Sequence, residues 1–363
     1  MAAHFHTLAV KRVTPDAAGS AAITLQVPAA LREGFDFRPG QFVTLRAAIA
    51  GQETRRSYSI CSAHQRYVQS GEIDIGVKPV EEGVFSRWAL EHLRAGETIE
   101  VMAPDGRFTP RVPGARHRVA FAAGSGITPV LSIMTSTLDS EPASRFTLVY
   151  GNQRVNTIMF NEALQDLKDR YPARVSLIHL LSRQAQEVEL LHGRIDDAKV
   201  AELLRTMLPA ADIDEAFICG PEGMIDATQR ALLAGGVPAD RIHTERFFST
   251  SQAPAKRAVP GDTPSAGVQT AAHRLDVVLD GKTHQLAMGD DDRVLDVALE
   301  AGLDLPYSCK SGVCTTCRAR LLEGEVEMEK NFTLEQWEID RGFVLTCQAR
   351  PMTPRVVVSY DER

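Results

Sequence analysis

The chain has 363 residues, of which 44% are hydrophobic and 24% are charged, and its formal net charge is −7. This length exceeds one typical core and predicts two or three domains, and the composition is that of a soluble globular protein. No run approaches 18 apolar residues, which argues against a membrane span, and the N-terminal residues show no apolar signal core. Four of the six cysteines are grouped as metal ligands are, which indicates the reducing cytoplasm rather than a disulfide framework.

The negative charge is unevenly distributed. Residues 272–363 carry 17 acidic and 11 basic side chains, so almost all of the net charge lies there. This asymmetry argues against nucleic acid as a partner and favours docking onto a positively charged protein surface, although solubility alone explains it equally well.

Residues 1–112 predict an antiparallel β-barrel. Alternating or apolar runs at residues 4–10, 22–27 and 41–45 read as short strands at the spacing that barrels show. Within this region lies the run Arg56-Ser57-Tyr58-Ser59. An arginine can pair with a phosphate, an aromatic ring can stack on a flat heterocycle, and a hydroxyl can donate a hydrogen bond. Alone, such a run is more often the surface of a strand with a chance tyrosine.

A second candidate segment follows in the same region. Val77 and Lys78 end an apolar run, and Gly83, Val84 and Ser86 precede an amphipathic stretch. Backbone amides at the start of a helix can bind a pyrophosphate. The alternative is an ordinary helix cap.

Residues 113–248 predict an α/β domain with a parallel sheet. The nearly continuous apolar strand 118–123 suits a sheet buried on both faces, and it leads into Gly124-Ser125-Gly126. These glycines allow close approach of a pyrophosphate, and we expect Thr128 to cap the following helix. A proline stands in place of a third glycine, and no acid ends the next strand, so a Rossmann dehydrogenase is not indicated.

Two further strand ends in this domain carry candidate residues. Ser182 and Arg183 follow the strand 175–180, where a hydroxyl and a guanidinium could hold a ribose 2′-phosphate and select NADPH. A solvated arginine is the alternative. Cys219, Gly220, Pro221 and Met224 lie at and after the next strand, where Cys219 could equally be a buried structural thiol.

Residues 249–272 predict a flexible linker, because they are rich in Ala, Ser, Thr and Pro and contain no aromatic residue. Residues 273–363 then predict a small α+β domain with a hairpin, a helix and a closing strand. Its cysteines are Cys309, Cys314, Cys317 and Cys347. The spacing C-x4-C-x2-C with a distant fourth cysteine is that of a plant-type [2Fe–2S] cluster. A zinc site is the alternative, but zinc ribbons usually have two C-x2-C pairs.

The run Arg56–Ser59 resembles the R-x-Y-S signature of the ferredoxin–NADP⁺ reductase family, and residues 219–224 resemble its C-G-P-x-x-M motif. The resemblance implies that Arg56 and Ser57 bind FAD, that Tyr58 covers the isoalloxazine ring, and that Ser59 faces N5. Residues 76–80 and 83–86 are similar to the second flavin segment of the same family, which places Val77, Lys78, Gly83, Val84 and Ser86 at the flavin. It also places Cys219 beside the nicotinamide, and Glu245 and Phe247 at the flavin edge. Ser59, Cys219 and Glu245 are thereby the catalytic candidates. Residues 273–363 resemble plant-type ferredoxins of the β-grasp fold.

Together these resemblances imply a chain of electron transfer from NADPH through FAD to a [2Fe–2S] cluster. NADPH gives up two electrons at once and the cluster accepts one, so a flavin must stand between them. The family resemblance further implies that the acceptor is the oxygenase component of a multicomponent monooxygenase. Three alternatives stay open: the reductase of a different aromatic-ring oxygenase, a flavoprotein with a zinc-stapled binding module, and a flavin reductase that releases reduced flavin.

Overall fold

The computed structural model describes residues 4–247 and 273–362, so the predicted linker 249–272 lies outside the described residues. The chain divides into two compact units. One unit comprises Phe5–Phe247, and the other contains the described residues from 273 onward.

The first part of the Phe5–Phe247 unit is a six-stranded antiparallel sheet in the order β4-β3-β6-β1-β2-β5. Its strands and helices are β1 (Phe5–Pro15), β2 (Ala21–Gln26), β3 (Phe42–Ile49), β4 (Gln52–Ser59), α1 (His64–Ser70), β5 (Glu72–Val77), α2 (Val84–His92) and β6 (Thr98–Met102). Period-2 alternation buries one face, because side chains such as Leu8, Val10, Ile23 and Leu25 are all fully enclosed. A bridge between Ile60 and Ile75 brings the two edges of the sheet together. The predicted antiparallel barrel is confirmed.

The second part of this unit is a five-stranded sheet in the order β11-β10-β7-β8-β9, and all four pairings are parallel. Its elements are β7 (His117–Ala123), α3 (Ile127–Ser140), β8 (Arg145–Asn152), α4 (Asn161–Arg170), β9 (Val175–Leu181), α5 (Asp197–Thr206), β10 (Glu215–Gly220), α6 (Glu222–Ala234) and β11 (Ile242–Arg246). Separate hydrophobic clusters cover its two faces, as the continuous apolar strands predicted. Carboxyl ends of parallel strands meet at one edge, where ligands of such sheets bind.

Direct contacts fix the barrel against the parallel sheet. The Ser132 hydroxyl on α3 donates to the Ser62 carbonyl at 2.7 Å, and the Asp16 carboxylate accepts from the Phe160 amide at 3.0 Å. A Cβ atom on Gly76 of β5 would lie 2.5 Å from the Thr128 methyl group, so only glycine fits there. These contacts hold the ends of β4 and β5 in a fixed position relative to the ends of β7 and β10.

The C-terminal unit contains a mixed five-stranded sheet in the order β13-β12-β18-β14-β16 and a two-stranded sheet of β15 and β17. Its elements are β12 (His273–Leu279), β13 (Lys282–Met288), α7 (Val294–Glu300), β14 (Arg318–Glu323), β15 (Val326–Met328), α8 (Gln336–Asp340), β16 (Phe343–Leu345), β17 (Ala349–Pro351) and β18 (Arg355–Ser359). One hydrophobic core joins the sheet to α7 and includes Cys317 and Cys347. The predicted β-grasp fold is confirmed.

Candidate active site and cluster loop

Three side chains from separate strands converge where the barrel meets the parallel sheet. Ser59 ends β4, Cys219 lies near the end of β10, and Glu245 is the register partner of Cys219 on β11. The Ser59 hydroxyl donates to Glu245 Oε2 at 3.2 Å, and the Cys219 thiol lies 3.9 Å from the same oxygen. The structure thus brings together the three catalytic candidates that the sequence indicated.

Burial keeps this cluster neutral. It raises the pKa of Glu245 to about 8 and is the largest cause of the raised pKa of Cys219, to which the neighbouring Glu245 also contributes. At neutral pH the carboxyl and the thiol therefore both hold their protons. A thiol in this state is a poor nucleophile, so Cys219 is suited to packing and hydrogen bonding rather than covalent chemistry.

A buried ion network holds the strand that carries Glu245. His243, two residues earlier on β11, donates from Nε2 to Glu215 Oε1 at 2.8 Å, and Arg118 Nε donates to the other oxygen at 3.0 Å. Glu215 also accepts from the Arg111 amide at 2.6 Å, in the connection between the barrel and the parallel sheet. The network therefore ties β11, an edge strand, to its neighbour β10 and, through Arg118, to β7.

The barrel contributes the segment that the sequence assigned to flavin. Arg56 is exposed and donates to the Arg55 carbonyl at 2.7 Å, while the Ser57 hydroxyl lies 3.1 Å from that of Thr44. The ring of Tyr58 is half-buried, 5.9 Å from the ring of Phe85, and burial raises the pKa of its phenol. Arg56 thus has its guanidinium at the surface, and Tyr58 presents a neutral ring.

The second barrel segment begins a helix, as predicted. Gly83 caps α2, Val84 and Ser86 lie in its first turn, and the Ser86 hydroxyl accepts from the Val80 amide at 3.1 Å. A Cβ atom on Gly83 would lie 2.8 Å from Val80 Cβ. The turn therefore needs glycine, and the amides that open α2 are available to an anion.

The turn Gly124–Gly126 lies against the catalytic candidates. A Cβ atom on Gly126 would lie 2.1 Å from the Cys219 carbonyl oxygen, and the buried Tyr150 hydroxyl donates to the Gly124 carbonyl at 2.8 Å. The expectation that Thr128 caps the helix is wrong. Gly124–Gly126 form a 3-10 turn, so α3 already begins at Ile127, and the buried Thr128 hydroxyl donates to the Ser125 carbonyl at 3.0 Å.

Lys78 lies closer to this turn than its place in the sequence indicated. It follows β5, and its Nζ atom is 3.6 Å from the position that a Cβ atom of Gly124 would take. Burial lowers the pKa of this ammonium group, and no carboxylate of the described residues forms an ion pair with it. A half-buried cation of this kind is suited to an anionic ligand.

The remaining candidates also lie at the carboxyl edge of the sheet. Ser182 and Arg183 follow β9, and their amides donate to the carbonyls of Asn152 and Gln153 at 2.9 Å. Pro221 caps α6, and the Met224 methyl group lies 2.7 Å from where a Cβ atom on Gly220 would be. Phe247, just beyond β11, is 38% exposed.

In the C-terminal unit, the cysteines form two pairs. A hydrogen bond between the thiols of Cys309 and Cys314 lowers the pKa of the first and raises that of the second. Cys347 and Cys317 form a second such pair, with the pKa of Cys347 lowered. In residues 4–247 and 273–362 no three or more His, Cys, Asp or Glu side chains are grouped around a single metal position, so the four cysteines lie as two separate pairs.

Donors around these pairs fit a cluster with two metal ions. The Ser311 amide donates to Cys309 Sγ at 3.4 Å, and the Gln348 side-chain amide donates to Cys347 Sγ at 3.5 Å. Gly312 has φ +79°, and a Cβ atom there would lie 2.8 Å from the Lys330 carbonyl oxygen. Two thiol pairs with amide donors match a [2Fe–2S] site, in which each iron takes two protein ligands.

The fold and these sites define a three-part electron-transfer reductase. The sequence matches the oxidoreductase FAD-binding domain family over residues 10–109, the oxidoreductase NAD-binding domain family over 121–230, and the 2Fe-2S iron-sulfur cluster binding domain family over 277–352. The chain belongs to the family of reductase components that serve multicomponent oxygenases.

Two relatives match nearly the whole chain. The chain is 45% identical over 362 residues to a component of the 1,2-phenylacetyl-CoA epoxidase of Escherichia coli, covering 99% of this chain and 98% of the relative. It is 34% identical over 357 residues to the ferredoxin reductase component of 3-ketosteroid-9-alpha-monooxygenase of Rhodococcus rhodochrous, covering 97% and 96%.

Solved structures share the fold. Phthalate dioxygenase reductase matches with a TM-score of 0.58 and 22% identity, covering 98% of both chains. An intact self-sufficient cytochrome P450 monooxygenase matches with a TM-score of 0.67 and 22% identity, covering 98% of this chain and 41% of that one. None of the helices in the described parts of the chain combines the length and the apolarity needed to cross a bilayer.

Sequence reasoning missed two residues that shape the site. The Tyr150 hydroxyl donates a hydrogen bond to the Gly124 carbonyl. In the sequence, Tyr150 lies within a mostly apolar strand, so nothing there marks it as a residue of the site. Asp16 holds the Phe160 amide across the two sheets, and its spacing in the sequence carries no signal of that contact. Phe160 has φ +57°, an unusual conformation for a bulky residue, which the Asp16 contact helps to hold.

Proposed function

We propose that this protein is the NADPH-dependent reductase of a diiron oxygenase, the phenylacetyl-CoA 1,2-epoxidase of phenylacetate degradation, and that it acts in the cytoplasm. Electrons pass from NADPH to FAD, then to the [2Fe–2S] cluster, and then to the oxygenase. The near full-length similarity to an epoxidase component supports the choice of oxygenase. The convergence of Ser59, Cys219 and Glu245 is the observation that carries the first transfer.

In this proposal the barrel binds FAD, which when bound accepts a hydride and passes electrons on singly. Arg56 pairs with its phosphate, Tyr58 covers the ring, and the amides that open α2 hold the pyrophosphate. Ser59 donates a hydrogen bond at the ring edge. In the structure that hydroxyl donates to Glu245 Oε2 at 3.2 Å, so its one proton turns from the carboxyl to the ring edge when FAD is bound.

The nucleotide half positions the nicotinamide. The Gly124–Gly126 turn brings backbone amides close to the ligand, and we assign the dinucleotide pyrophosphate to Lys78 because its ammonium group lies beside Gly124. Cys219 and Glu245 pack beside the nicotinamide, where they exclude water. Because Glu245 is neutral, it does not repel the hydride that NADPH transfers. Holding the two rings in near-attack geometry is the main contribution of these residues to rate.

NADPH preference rests on Ser182 and Arg183 at the end of β9. We expect Arg183→Ala to raise KM for NADPH by at least about tenfold while KM for NADH changes little, because only NADPH has the 2′-phosphate. Arg205→Ala, an exposed arginine on α5, is the matched control. Equal losses with both coenzymes would show that Arg183 does not select between them.

The overall assignment is tested by reconstitution. Purified reductase with bound iron and acid-labile sulfide is mixed with a diiron phenylacetyl-CoA oxygenase, NADPH and phenylacetyl-CoA, and epoxide formation is measured. Cys347→Ser is the matched variant. It should still pass electrons from NADPH to an artificial acceptor that the bound flavin reduces directly, but it should not support epoxidation. Epoxidation at wild-type rates by this variant would contradict the route through the cluster, and zinc in place of iron would contradict the cluster itself.

A further inference from the structure

The C-terminal unit exposes a large aromatic side chain on a short helix. Trp337 is 45% exposed and Ile339 is 36% exposed, and both lie on α8. Exposed tryptophan is enriched among the residues that contribute most of the binding free energy at protein interfaces. We call Trp337, Ile339 and the flanking acids Glu335 and Asp340 the Trp337 surface.

This surface is fixed to the cluster loop at both ends of its segment. Upstream, the Phe332 amide donates to the Gly312 carbonyl at 3.2 Å, and Gly312 lies between the ligand cysteines 309 and 314. On α8 itself, the fully buried Glu338 accepts a hydrogen bond from Arg318, the residue that follows Cys317. A protein seated on Trp337 would therefore contact a segment bonded directly to the loop that holds the metal.

The Trp337 ring is held in place before binding. Its Nε1 atom donates to Glu335 Oε2 at 2.7 Å, and the Arg341 guanidinium lies 5.1 Å from its ring centroid. A side chain held in this way loses little conformational entropy when a partner covers it. The exposed ring thus has the properties of an anchor rather than of a mobile surface side chain.

Charge indicates the kind of partner that fits. Residues 323–341 contain seven acidic side chains and two basic side chains, Lys330 and Arg341. Glu325, Glu327, Glu335 and Asp340 are all exposed in this stretch. The complementary surface is an apolar recess with a basic rim, and such charge pairing raises the rate of encounter.

We propose that the Trp337 surface is the docking site for the oxygenase component, a proposal that rests on the proposed function. Two partners need access to the cluster: the flavin-binding unit of the same chain and the separate oxygenase. The flavin-binding unit is covalently tethered, so its effective concentration is high without a strong anchor. The oxygenase must associate from solution, and an ordered tryptophan in an acidic surround contributes most to that association.

The test compares Trp337→Ala with Leu322→Ala in the full-length protein with both cofactors bound. Leu322 is the matched control, because it is 47% exposed on β14 of the same unit. Three quantities are measured: Kd for the isolated oxygenase, the rate of cluster reduction after rapid mixing with NADPH, and oxygenase turnover. Visible absorbance of the cluster checks that each variant is folded and loaded.

We expect Trp337→Ala to raise Kd for the oxygenase by about tenfold or more, with the rate of cluster reduction within about twofold of wild type. Leu322→Ala should leave both quantities unchanged. Added salt should weaken wild-type binding, and Asp340→Asn should reduce that salt dependence.

Unchanged Kd for Trp337→Ala would overturn the proposal, and so would absence of binding by the wild-type protein. Slower cluster reduction with unchanged Kd would assign the surface to the flavin-binding unit instead, which also overturns it. If the wild type binds the oxygenase without supporting turnover, the proposed function fails, whereas the Kd comparison still decides the docking site.

Discussion

The close approach of Gly126 to β10 allows a sharp test of the nucleotide site. In Gly126→Ala, the new Cβ atom would lie 2.1 Å from the Cys219 carbonyl oxygen and 2.5 Å from its carbonyl carbon. Both atoms are backbone, so no side-chain rotation relieves the clash. The turn and the end of β10 must separate by roughly 1 Å to reach an ordinary contact distance.

That displacement sets the size of the expected effect. A misplacement of about 1 Å in a bound reactant costs about 100-fold in rate, and overpacking a core costs about 1–3 kcal/mol of stability. We therefore expect kcat/KM for NADPH to fall by about 100-fold, measured with an artificial one-electron acceptor, while FAD stays bound. The cluster should be unaffected, because it lies in the other unit.

Gly223→Ala is the matched control for this prediction. Gly223 lies in α6 of the same sheet domain, and a Cβ atom there would have no heavy atom within 4 Å. This variant should keep wild-type kinetics. Wild-type kcat/KM in Gly126→Ala, or an equal loss in both variants, would refute the inference that the turn must lie against Cys219.

Two further predictions address the proton on Glu245 and the backbone of the cluster loop. Burial raises the pKa of Glu245 from 4.5 to about 8. Its protonated form therefore stabilises the fold fully below pH 4.5, and this contribution is lost as pH rises to about 8. Glu245→Gln lacks this titration, so its free energy of unfolding relative to that of the wild type should increase over that range, by at most about 1.4 kcal/mol per pH unit. The unfolding midpoint of both proteins is measured against pH. Parallel curves for the variant and the wild type would contradict the raised pKa. In Gly312→Ala, a left-handed backbone and a contact of 2.8 Å with the Lys330 carbonyl should lower the content of acid-labile sulfide. Gly281→Ala separates the effect of the left-handed backbone from that of the close contact, because Gly281 has φ +71° but open space around its Cβ position. An equal loss of acid-labile sulfide in both variants would mean that the backbone conformation alone is responsible.

Much of the site could be predicted because its residues end strands of one parallel sheet. Carboxyl ends of parallel strands meet at one edge, so Cys219 and Glu245, on neighbouring strands β10 and β11, had to lie close together. Ser59 belongs to the barrel, and only the family resemblance placed it beside them. The four cysteines were recognisable from spacing alone, because the geometry of the cluster constrains the loop.

The features that sequence reasoning missed depend on how two sheets are placed against each other. Lys78 was expected in a flavin segment, yet its ammonium group lies beside Gly124, a contact made across the packed interface of barrel and sheet. The capping role expected for Thr128 was wrong for a local reason: three residues of 3-10 turn move the start of α3 two positions earlier, from Pro129 to Ile127. Neither local turn type nor packing between sheets is fixed by hydrophobic periodicity.

The two units carry out different kinds of electron transfer, and the contacts that their residues make differ accordingly. Hydride transfer requires two rings in fixed contact, and the Phe5–Phe247 unit meets this with buried bonds between its sheets, such as those of Ser132 and Asp16. Single-electron transfer between proteins requires only brief approach to the cluster, and then release. A small surface with one ordered aromatic residue and a charged surround suits that purpose, since charge speeds encounter and a single anchor allows dissociation. The Trp337 surface has this composition, which is why we place the exchange with the oxygenase there.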